Sequence, residues 1–150
     1  MSSHESKSTI LVVEDDASLR RLFVTMLTSG GFKTLATGRA AEGLYIVRQR
    51  QGAVDLAIVD MVMPVMSGLD LATDLGREYP HLKILYISGY VDSVAAEVLA
   101  SRSPNHVLLK PFTKQALLDR VHLLLAMPPR REPAPAEEPA APQIRDRLVS

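Results

Sequence analysis

Residues 10–16 read ILVVEDD, an apolar run that ends in three acidic residues. A short apolar run of this kind is typical of a strand that is buried on both faces of a parallel sheet. The next segment is amphipathic at helical spacing, and its apolar positions are Leu19, Leu22, Phe23, Met26 and Leu27. Gly30 and Gly31 then end the helical pattern. The stretch predicts a buried strand, an acidic turn and a helix.

The same alternation of strand and helix continues along the chain. Further strands are predicted at 32–36, 56–59, 84–87 and 107–109. Further helices are predicted at 40–50, with Leu44 and Val47 on its buried face, at 68–79, at 91–101, and from Thr113, a candidate N-cap, to Ala126. Five strands that alternate with five helices predict an α/β fold, in which helices cover both faces of a parallel sheet.

The length and composition predict one domain with two tails. A chain of 150 residues, 47% of them hydrophobic, can fill a single core. The domain is predicted at 9–126, after a short disordered tail at 1–8. Residues 127–150 are rich in proline and alanine, which predicts a second disordered tail. Because this tail is too short for an effector domain, we expect a protein of the single-domain type.

The charge and cysteine content exclude several classes of protein. The 17 basic and 17 acidic residues give no net charge that would attract nucleic acid or an anionic membrane. The absence of cysteine excludes disulfides and thiolate metal sites. The first eight residues lack the apolar run of a secretion signal, and no later segment is apolar for long enough to span a bilayer. We therefore expect a cytoplasmic protein without direct contact to nucleic acid or membrane.

Polar residues follow four of the predicted strands. The acidic residues 14–16 follow the first strand, Asp60 the third, Ser88 the fourth and Lys110 the fifth. Each has an ordinary explanation when taken alone, as a partner of a helix N-terminus, a turn residue or a solvated strand end. In an open parallel sheet, however, the carboxyl ends of the strands face one crevice, so these residues should converge.

Convergence of several carboxylates predicts a bound cation, because without one the carboxylates would repel one another. Oxygen ligands alone indicate a hard ion, and Mg²⁺ suits a site with few protein ligands because it keeps several waters and accepts phosphate oxygens. Lys110 would add a second positive charge and Ser88 a hydroxyl donor. A metal, a lysine and a hydroxyl together predict a pocket that binds a phosphoryl group.

At this point the chain resembles the response regulator receiver family over nearly all of 9–126. Residues 10–16 are similar to the opening strand of the family with its acidic pair, which falls on Glu14 and Asp15. Residues 60–68, DMVMPVMSG, resemble the segment that carries the phosphorylated aspartate, with Pro64 and Gly68 shaping the loop. Residues 87–90, ISGY, match at Ser88, and residues 110–112, KPF, match the family's lysine, whose bond to the following proline is typically cis.

The resemblance implies a fold, a chemistry and partners. The fold would be flavodoxin-like and doubly wound, with a five-stranded parallel sheet in the order 2-1-3-4-5. Asp60 would be the phosphoacceptor and nucleophile toward a phosphohistidine of a sensor histidine kinase or a phosphotransfer protein. Asp15 would bind Mg²⁺ directly and Glu14 through water, with an oxygen of Asp60 and the backbone carbonyl of Val62 as further ligands. Lys110 and Ser88 would pair with the phosphoryl oxygens.

Phosphorylation would then switch an output surface for protein contacts in two-component signalling. This surface runs from Tyr90 to Leu125. It comprises the helix predicted at 91–101, the strand predicted at 107–109 and the helix predicted from Thr113 to Ala126. The sequence does not identify the downstream protein. Such a protein is a phosphoacceptor rather than an enzyme, although it would catalyse its own phosphotransfer and a slow self-dephosphorylation.

The chain departs from the family pattern at two positions. Ser67 stands where an aspartate is usual, with little consequence. Val107 stands where the family often has a switching tyrosine or phenylalanine, and the adjacent His106 is expected to face solvent. Two further positions, Val62 and Tyr90, would modulate the phosphorylated lifetime, because Val62 cannot hold a hydrolytic water and Tyr90 is bulky enough to cover its approach.

Two alternatives belong to other classes of protein. A phosphatase of the haloacid dehalogenase type also uses an aspartate nucleophile, but it needs a second aspartate two residues on, where this chain has Val62. A receiver-like module that acts without phosphorylation is the other alternative. The complete set of site residues argues against it.

Overall fold

The computed structural model describes residues 7–63, 66–89 and 103–128. The strands are β1 (Thr9–Val13), β2 (Lys33–Thr37), β3 (Leu56–Asp60), β4 (Lys83–Ser88) and β5 (Val107–Leu109). The helices are α1 (Ala17–Ser29), α2 (Ala40–Gln49), α3 (Gly68–Glu78) and α4 (Lys114–Ala126), and a short 3-10 helix spans Pro104–His106. The helix predicted at 91–101 lies outside the described residues. No helix in the described part is long and apolar enough to cross a lipid bilayer.

All five strands are parallel, in the order β2-β1-β3-β4-β5. This confirms the predicted α/β fold and strand order. One apolar core lies between the sheet and helices α1 and α4, and a second lies between the sheet and helices α2 and α3. Since the order of connection reverses between β1 and β3, a crevice opens at the carboxyl ends of these two strands.

The boundaries of several strands differ by one residue from the prediction. Asp60 and Ser88 are the last residues of β3 and β4 rather than the first residues beyond them. Ser8, predicted to lie in the N-terminal tail, accepts a hydrogen bond at its carbonyl from Lys33 N–H at 3.0 Å. The hydrogen bonds between β1 and β2 therefore begin two residues before the apolar run at 10–13.

Helix α1 buries a narrower face than its apolar spacing predicts. Phe23 and Leu27 are fully packed into the core. Leu22 was expected on the same face, but it is 46% exposed. The reason is geometric: Leu22 lies about 100° around the helix axis from Phe23, away from the sheet. The prediction for Leu22 is wrong.

Helix α4 is held at both ends by side chains. At its start, the hydroxyl oxygen of Thr113 accepts a hydrogen bond from Ala116 N–H at 3.0 Å, which confirms Thr113 as the N-cap. At its end, Lys83 Nζ donates to the carbonyl of Leu124 at 2.9 Å and to that of Met127 at 2.6 Å. The ammonium group therefore adds a second donor to the carbonyl of Leu124, which also accepts from Met127 N–H at 3.2 Å, and supplies a donor to the carbonyl of Met127 at the helix end.

Candidate functional site

Three carboxylates meet at the carboxyl ends of β1 and β3. Glu14, Asp15 and Asp60 each present a carboxylate oxygen, and these oxygens lie within 4.8 Å of one another. Glu14 and Asp60 are buried, with 2% and 6% of their surface exposed, whereas Asp15 is exposed. The register explains the proximity of Glu14 and Asp60, because Val13 pairs with Val59 and the residue that follows each of them in the sequence is acidic. The predicted convergence of these residues is confirmed.

Lys110 is the cation that faces these carboxylates in the described part of the chain. Its Nζ lies 3.2 Å from Glu14 Oε1 and 3.4 Å from Asp60 Oδ2. Its backbone N–H donates to the carbonyl of Ser88 at 2.8 Å, and the Lys110–Pro111 peptide bond is cis. Burial alone would lower the pKa of Lys110, but the charges of Asp60 and Glu14 outweigh burial and raise the pKa. Lys110 therefore stays charged.

The environment of Glu14 disfavours its ionised form. Its pKa is raised to about 7, mainly by burial and also by the charge of Asp60, against the opposing effects of the backbone N–H of Asp16 and the ammonium of Lys110. Its Oε2 accepts from Asp16 N–H at 3.2 Å. Its Oε1 is buried and, among the described residues, finds no hydrogen-bond donor in good geometry, although Lys110 Nζ is near.

These features test whether a cation fits the site. One lysine faces three carboxylates, and a buried carboxylate oxygen lacks a donor. All the candidate ligands are oxygens, which is the donor set that Mg²⁺ prefers. The residues present therefore fit a hard divalent cation.

Asp16 is not a member of this cluster. Its Oδ1 accepts from the N–H groups of Ser18 and Leu19 at 2.9 and 3.0 Å, so it is the N-cap of α1. The ordinary explanation for an acidic residue before a helix therefore applies to Asp16. It leaves Glu14 and Asp15 as the acidic pair.

The loop after Asp60 is fixed by backbone contacts. Val62 N–H donates to Asp60 Oδ1 at 3.1 Å, and the side chain of Val62 is 72% exposed. Gly68 packs so closely on β3 that a Cβ there would lie 2.1 Å from the carbonyl oxygen of Asp60. Ser67 caps α3 by accepting from Asp70 N–H at 3.1 Å, so the serine at 67 keeps the cap that an aspartate would provide. Pro64 lies outside the described residues.

The remaining predicted site residues lie around β4 and β5. Ser88 is buried at the carboxyl end of β4, and Val107 is buried in β5 opposite Tyr86. His106 is half-buried, and its Nδ1 hydrogen-bonds the carbonyl of Ile84 at 2.8 Å, so the prediction that it faces solvent is wrong. It belongs to the 3-10 helix, where strand alternation does not apply. Tyr90 lies outside the described residues.

Two residues near the acidic pair escaped the sequence reasoning. Arg20 on α1 donates from Nη1 to the carbonyl of Glu14 at 2.8 Å. Gly38, after β2, lies against the same guanidinium group. Arg20 is one of many charged residues on amphipathic helices, and its position in the sequence gave no sign that it contacts the acidic pair.

The comparison with families decides the identity. The model of the response regulator receiver domain matches residues 10–122. The chain belongs to the response regulator receiver family. This match confirms the resemblance that residues 10–16, 60–68, 87–90 and 110–112 indicated.

Relatives of this receiver domain are parts of longer proteins. It is 36% identical to the response regulator protein FleR of Pseudomonas aeruginosa, over 90% of this chain and 29% of that protein. It is 34% identical to nodulation protein W of Bradyrhizobium diazoefficiens, over 77% of this chain and 50% of that protein. It is 32% identical to the sensor kinase CckA of Brucella abortus, over 79% of this chain and 12% of that protein. The chain spans half the length of these relatives or less.

Solved receiver structures share the fold. A response regulator receiver domain protein from Clostridium thermocellum superposes with a TM-score of 0.72 at 23% identity, covering 95% of this chain and 99% of that one. A CheY-like receiver domain protein from Methanospirillum hungatei gives a TM-score of 0.71 at 25% identity, covering 80% and 94%. The receiver domain therefore has both the sequence and the architecture of this signalling family.

Proposed function

We propose that Asp60 accepts a phosphoryl group, in a Mg²⁺-dependent reaction, from a phosphohistidine of a sensor histidine kinase or a phosphotransfer protein. The observation that carries the proposal is the position of Asp60, whose carboxylate lies within 4.8 Å of oxygens of the acidic pair and 3.4 Å from the ammonium of Lys110. A carboxylate oxygen of Asp60 forms the bond to phosphorus while the bond from phosphorus to the histidine nitrogen breaks. The product is an acyl phosphate on Asp60 and a free imidazole on the donor.

Each neighbour has a separate task in this reaction. Asp15 would bind the magnesium directly and Glu14 through water, and an oxygen of Asp60 and the carbonyl of Val62 would complete the protein ligands. When bound, Mg²⁺ neutralises charge on the carboxylates and on the transferred group. Lys110 and Ser88 pair with phosphoryl oxygens, and both sit on strand ends that fix their backbones.

Transfer adds roughly 1.5 to 2 negative charges beside Lys110 and Ser88 near neutral pH. This charge pulls both side chains toward Asp60, and the ends of β4 and β5 move with them. The output surface is then the face between 90 and 125. Val107 in place of an aromatic residue means that no ring rotation at this position accompanies the change. Partners are proteins in the cytoplasm, and the folded domain extends over 9–126.

Phosphotransfer profiling tests the proposal. Purified histidine kinases are first labelled on histidine, the receiver domain is added with Mg²⁺ or with EDTA, and label on each protein is followed over time. We expect at least one kinase to pass its label to the receiver domain within minutes, only when Mg²⁺ is present. Equal transfer in EDTA would contradict the magnesium requirement, and no transfer from any kinase or from a small acyl phosphate would contradict the proposed function.

A further inference from the structure

Arg20 ties helix α1 to the backbone of the acidic pair. Its Nη1 donates to the carbonyl of Glu14 at 2.8 Å, and this carbonyl belongs to the peptide bond that precedes Asp15. The N–H of Glu14 donates in turn to the carbonyl of Thr37, at the end of β2, at 3.1 Å. Both sides of Glu14 are thus anchored, one by α1 and one by β2.

The orientation of Asp15 depends on this backbone. Among the described residues, no hydrogen bond or ion pair involves the Asp15 carboxylate, and the side chain is exposed. The backbone around Asp15 therefore fixes the direction of its Cα–Cβ bond, from which the carboxylate reaches the site. Arg20 holds the peptide bond that precedes Asp15 in place.

Gly38 provides the space for the guanidinium group. A Cβ at Gly38 would lie 2.7 Å from Arg20 Nη1 and 3.7 Å from the carbonyl oxygen of Glu14. Its φ is outside the left-handed region, so the backbone does not require glycine here. Glycine is needed for room, and the atom that an added methyl group would push away is the end of a flexible arginine.

We propose that Arg20, seated against Gly38, is a positioning residue that orients Asp15 toward the metal by holding the peptide bond between Glu14 and Asp15. This inference deepens the proposed function and rests on it. Residues that orient metal ligands typically contribute about tenfold or more to metal affinity.

The direction in which an Arg20 variant changes Mg²⁺ affinity distinguishes a positioning role from an effect of charge. Replacing Arg20 by glutamine removes a positive charge close to the site, and the loss of its Coulomb repulsion would by itself tighten Mg²⁺ binding. Loss of positioning would weaken binding instead. Arg21 is the matched control, because it is the adjacent arginine on α1, it is exposed, and its side chain has no hydrogen bond or ion pair in the described part of the chain.

The experiment is a titration of the full chain with Mg²⁺ alone, followed by calorimetry or NMR because the chain has no tryptophan. We expect R20Q and G38A each to weaken Mg²⁺ binding about tenfold and R21Q to leave it unchanged or slightly tighter. Because Gly38 acts through Arg20, the double variant should bind no more weakly than R20Q. Thermal unfolding of each variant in EDTA gives its unfolding midpoint without metal. Titrations at temperatures well below these midpoints then distinguish loss of Mg²⁺ affinity from loss of the fold.

Binding by R20Q equal to or tighter than that of R21Q would overturn the inference while leaving the proposed function intact, provided that the wild type binds Mg²⁺ and is phosphorylated. A double variant much weaker than R20Q would show that Gly38 has its own effect and would contradict the linked role. Failure of the wild-type chain to bind Mg²⁺ or to accept phosphate would instead overturn the proposed function, and this inference with it.

Discussion

At the scale of single residues, the three consecutive acids at 14–16 have three different environments. Glu14 is buried beside Lys110, Asp15 is exposed at the edge of the carboxylate cluster, and Asp16 caps α1. The sequence alone predicted that acids would gather here, because parallel strands bring their carboxyl ends together. The sequence could not predict which of the three acids has which role, since that depends on which side chain turns inward. The family resemblance supplied the register, and the cap on α1 supports it.

The first prediction concerns the division of roles between Asp15 and Asp16. Asp15→Ala should weaken Mg²⁺ binding more than Glu14→Ala does, because only Asp15 is assigned as a direct ligand. Asp16→Ala should leave Mg²⁺ binding almost unchanged but lower the free energy of unfolding by about 1 kcal/mol, as is usual for loss of an N-cap. Metal titration and urea unfolding of the three variants measure both effects. If Asp16→Ala proved the most damaging to metal binding, the assigned acidic pair would be wrong by one residue.

The second prediction concerns pH. Because the pKa of Glu14 is raised to about 7 from 4.5, the metal-free protein holds a proton that Mg²⁺ binding should displace. Affinity for Mg²⁺ should therefore rise with pH and level off above 7, with binding about tenfold weaker at pH 6 than at pH 8. Glu14→Gln should flatten this dependence. The same proton favours the folded metal-free state, so its contribution to stability is fully present below pH 4.5 and is lost as the pH rises through about 7. A wild-type affinity that is constant between pH 6 and pH 8 would contradict this account.

The third prediction concerns the lifetime of the phosphorylated state. Val62 is 72% exposed two residues after Asp60, and its side chain cannot hold an attacking water. We expect slow self-dephosphorylation, and we expect Val62→Asn to speed the loss of phosphate by up to roughly tenfold, or about 1.4 kcal/mol of barrier. The rate is read from phosphate release at saturating Mg²⁺. A wild-type half-life of only seconds, or an asparagine variant that is no faster, would show that another feature controls access of water.

At the scale of helices and strands, apolar periodicity predicted which elements exist better than where they end. Buried runs such as 10–13 and 56–59 were placed correctly because strands covered on both faces exclude polar residues. The spacing in α1 included Leu22, because periodicity identifies an apolar face but not the sector of it that meets the sheet. The bond from Lys83 to the end of α4 was missed because its partners are backbone carbonyls more than 40 residues away.

The fourth prediction belongs to this scale and concerns Lys83. Lys83→Met should lower the free energy of unfolding by about 1–2 kcal/mol, because it removes two hydrogen bonds from a charged donor to carbonyls at the end of α4. Lys33→Met is the control, since Lys33 is an exposed lysine on the edge strand β2. Urea unfolding of both variants measures the difference. Equal stability of the two variants would show that the contacts of Lys83 contribute nothing measurable.

At the scale of the whole molecule, the topology assembles the site. Residues 14, 60, 88 and 110 are far apart in the chain, and the order β2-β1-β3-β4-β5 brings their strand ends to one edge. Sequence reasoning reached this convergence because parallel connections are constrained. It could not find the contact between Arg20 and Gly38, because that contact depends on how a side chain of α1 lies against the residue after β2 rather than on a sequence pattern.

The central claim is that Asp60 is the phosphoacceptor, and intact-protein mass spectrometry after incubation with a small acyl phosphate and Mg²⁺ tests it most directly. Wild-type protein should gain the mass of one phosphoryl group, and Asp60→Asn should gain none while keeping the circular dichroism spectrum of the fold. Equal labelling of Asp60→Asn would place the acceptor elsewhere and contradict the account.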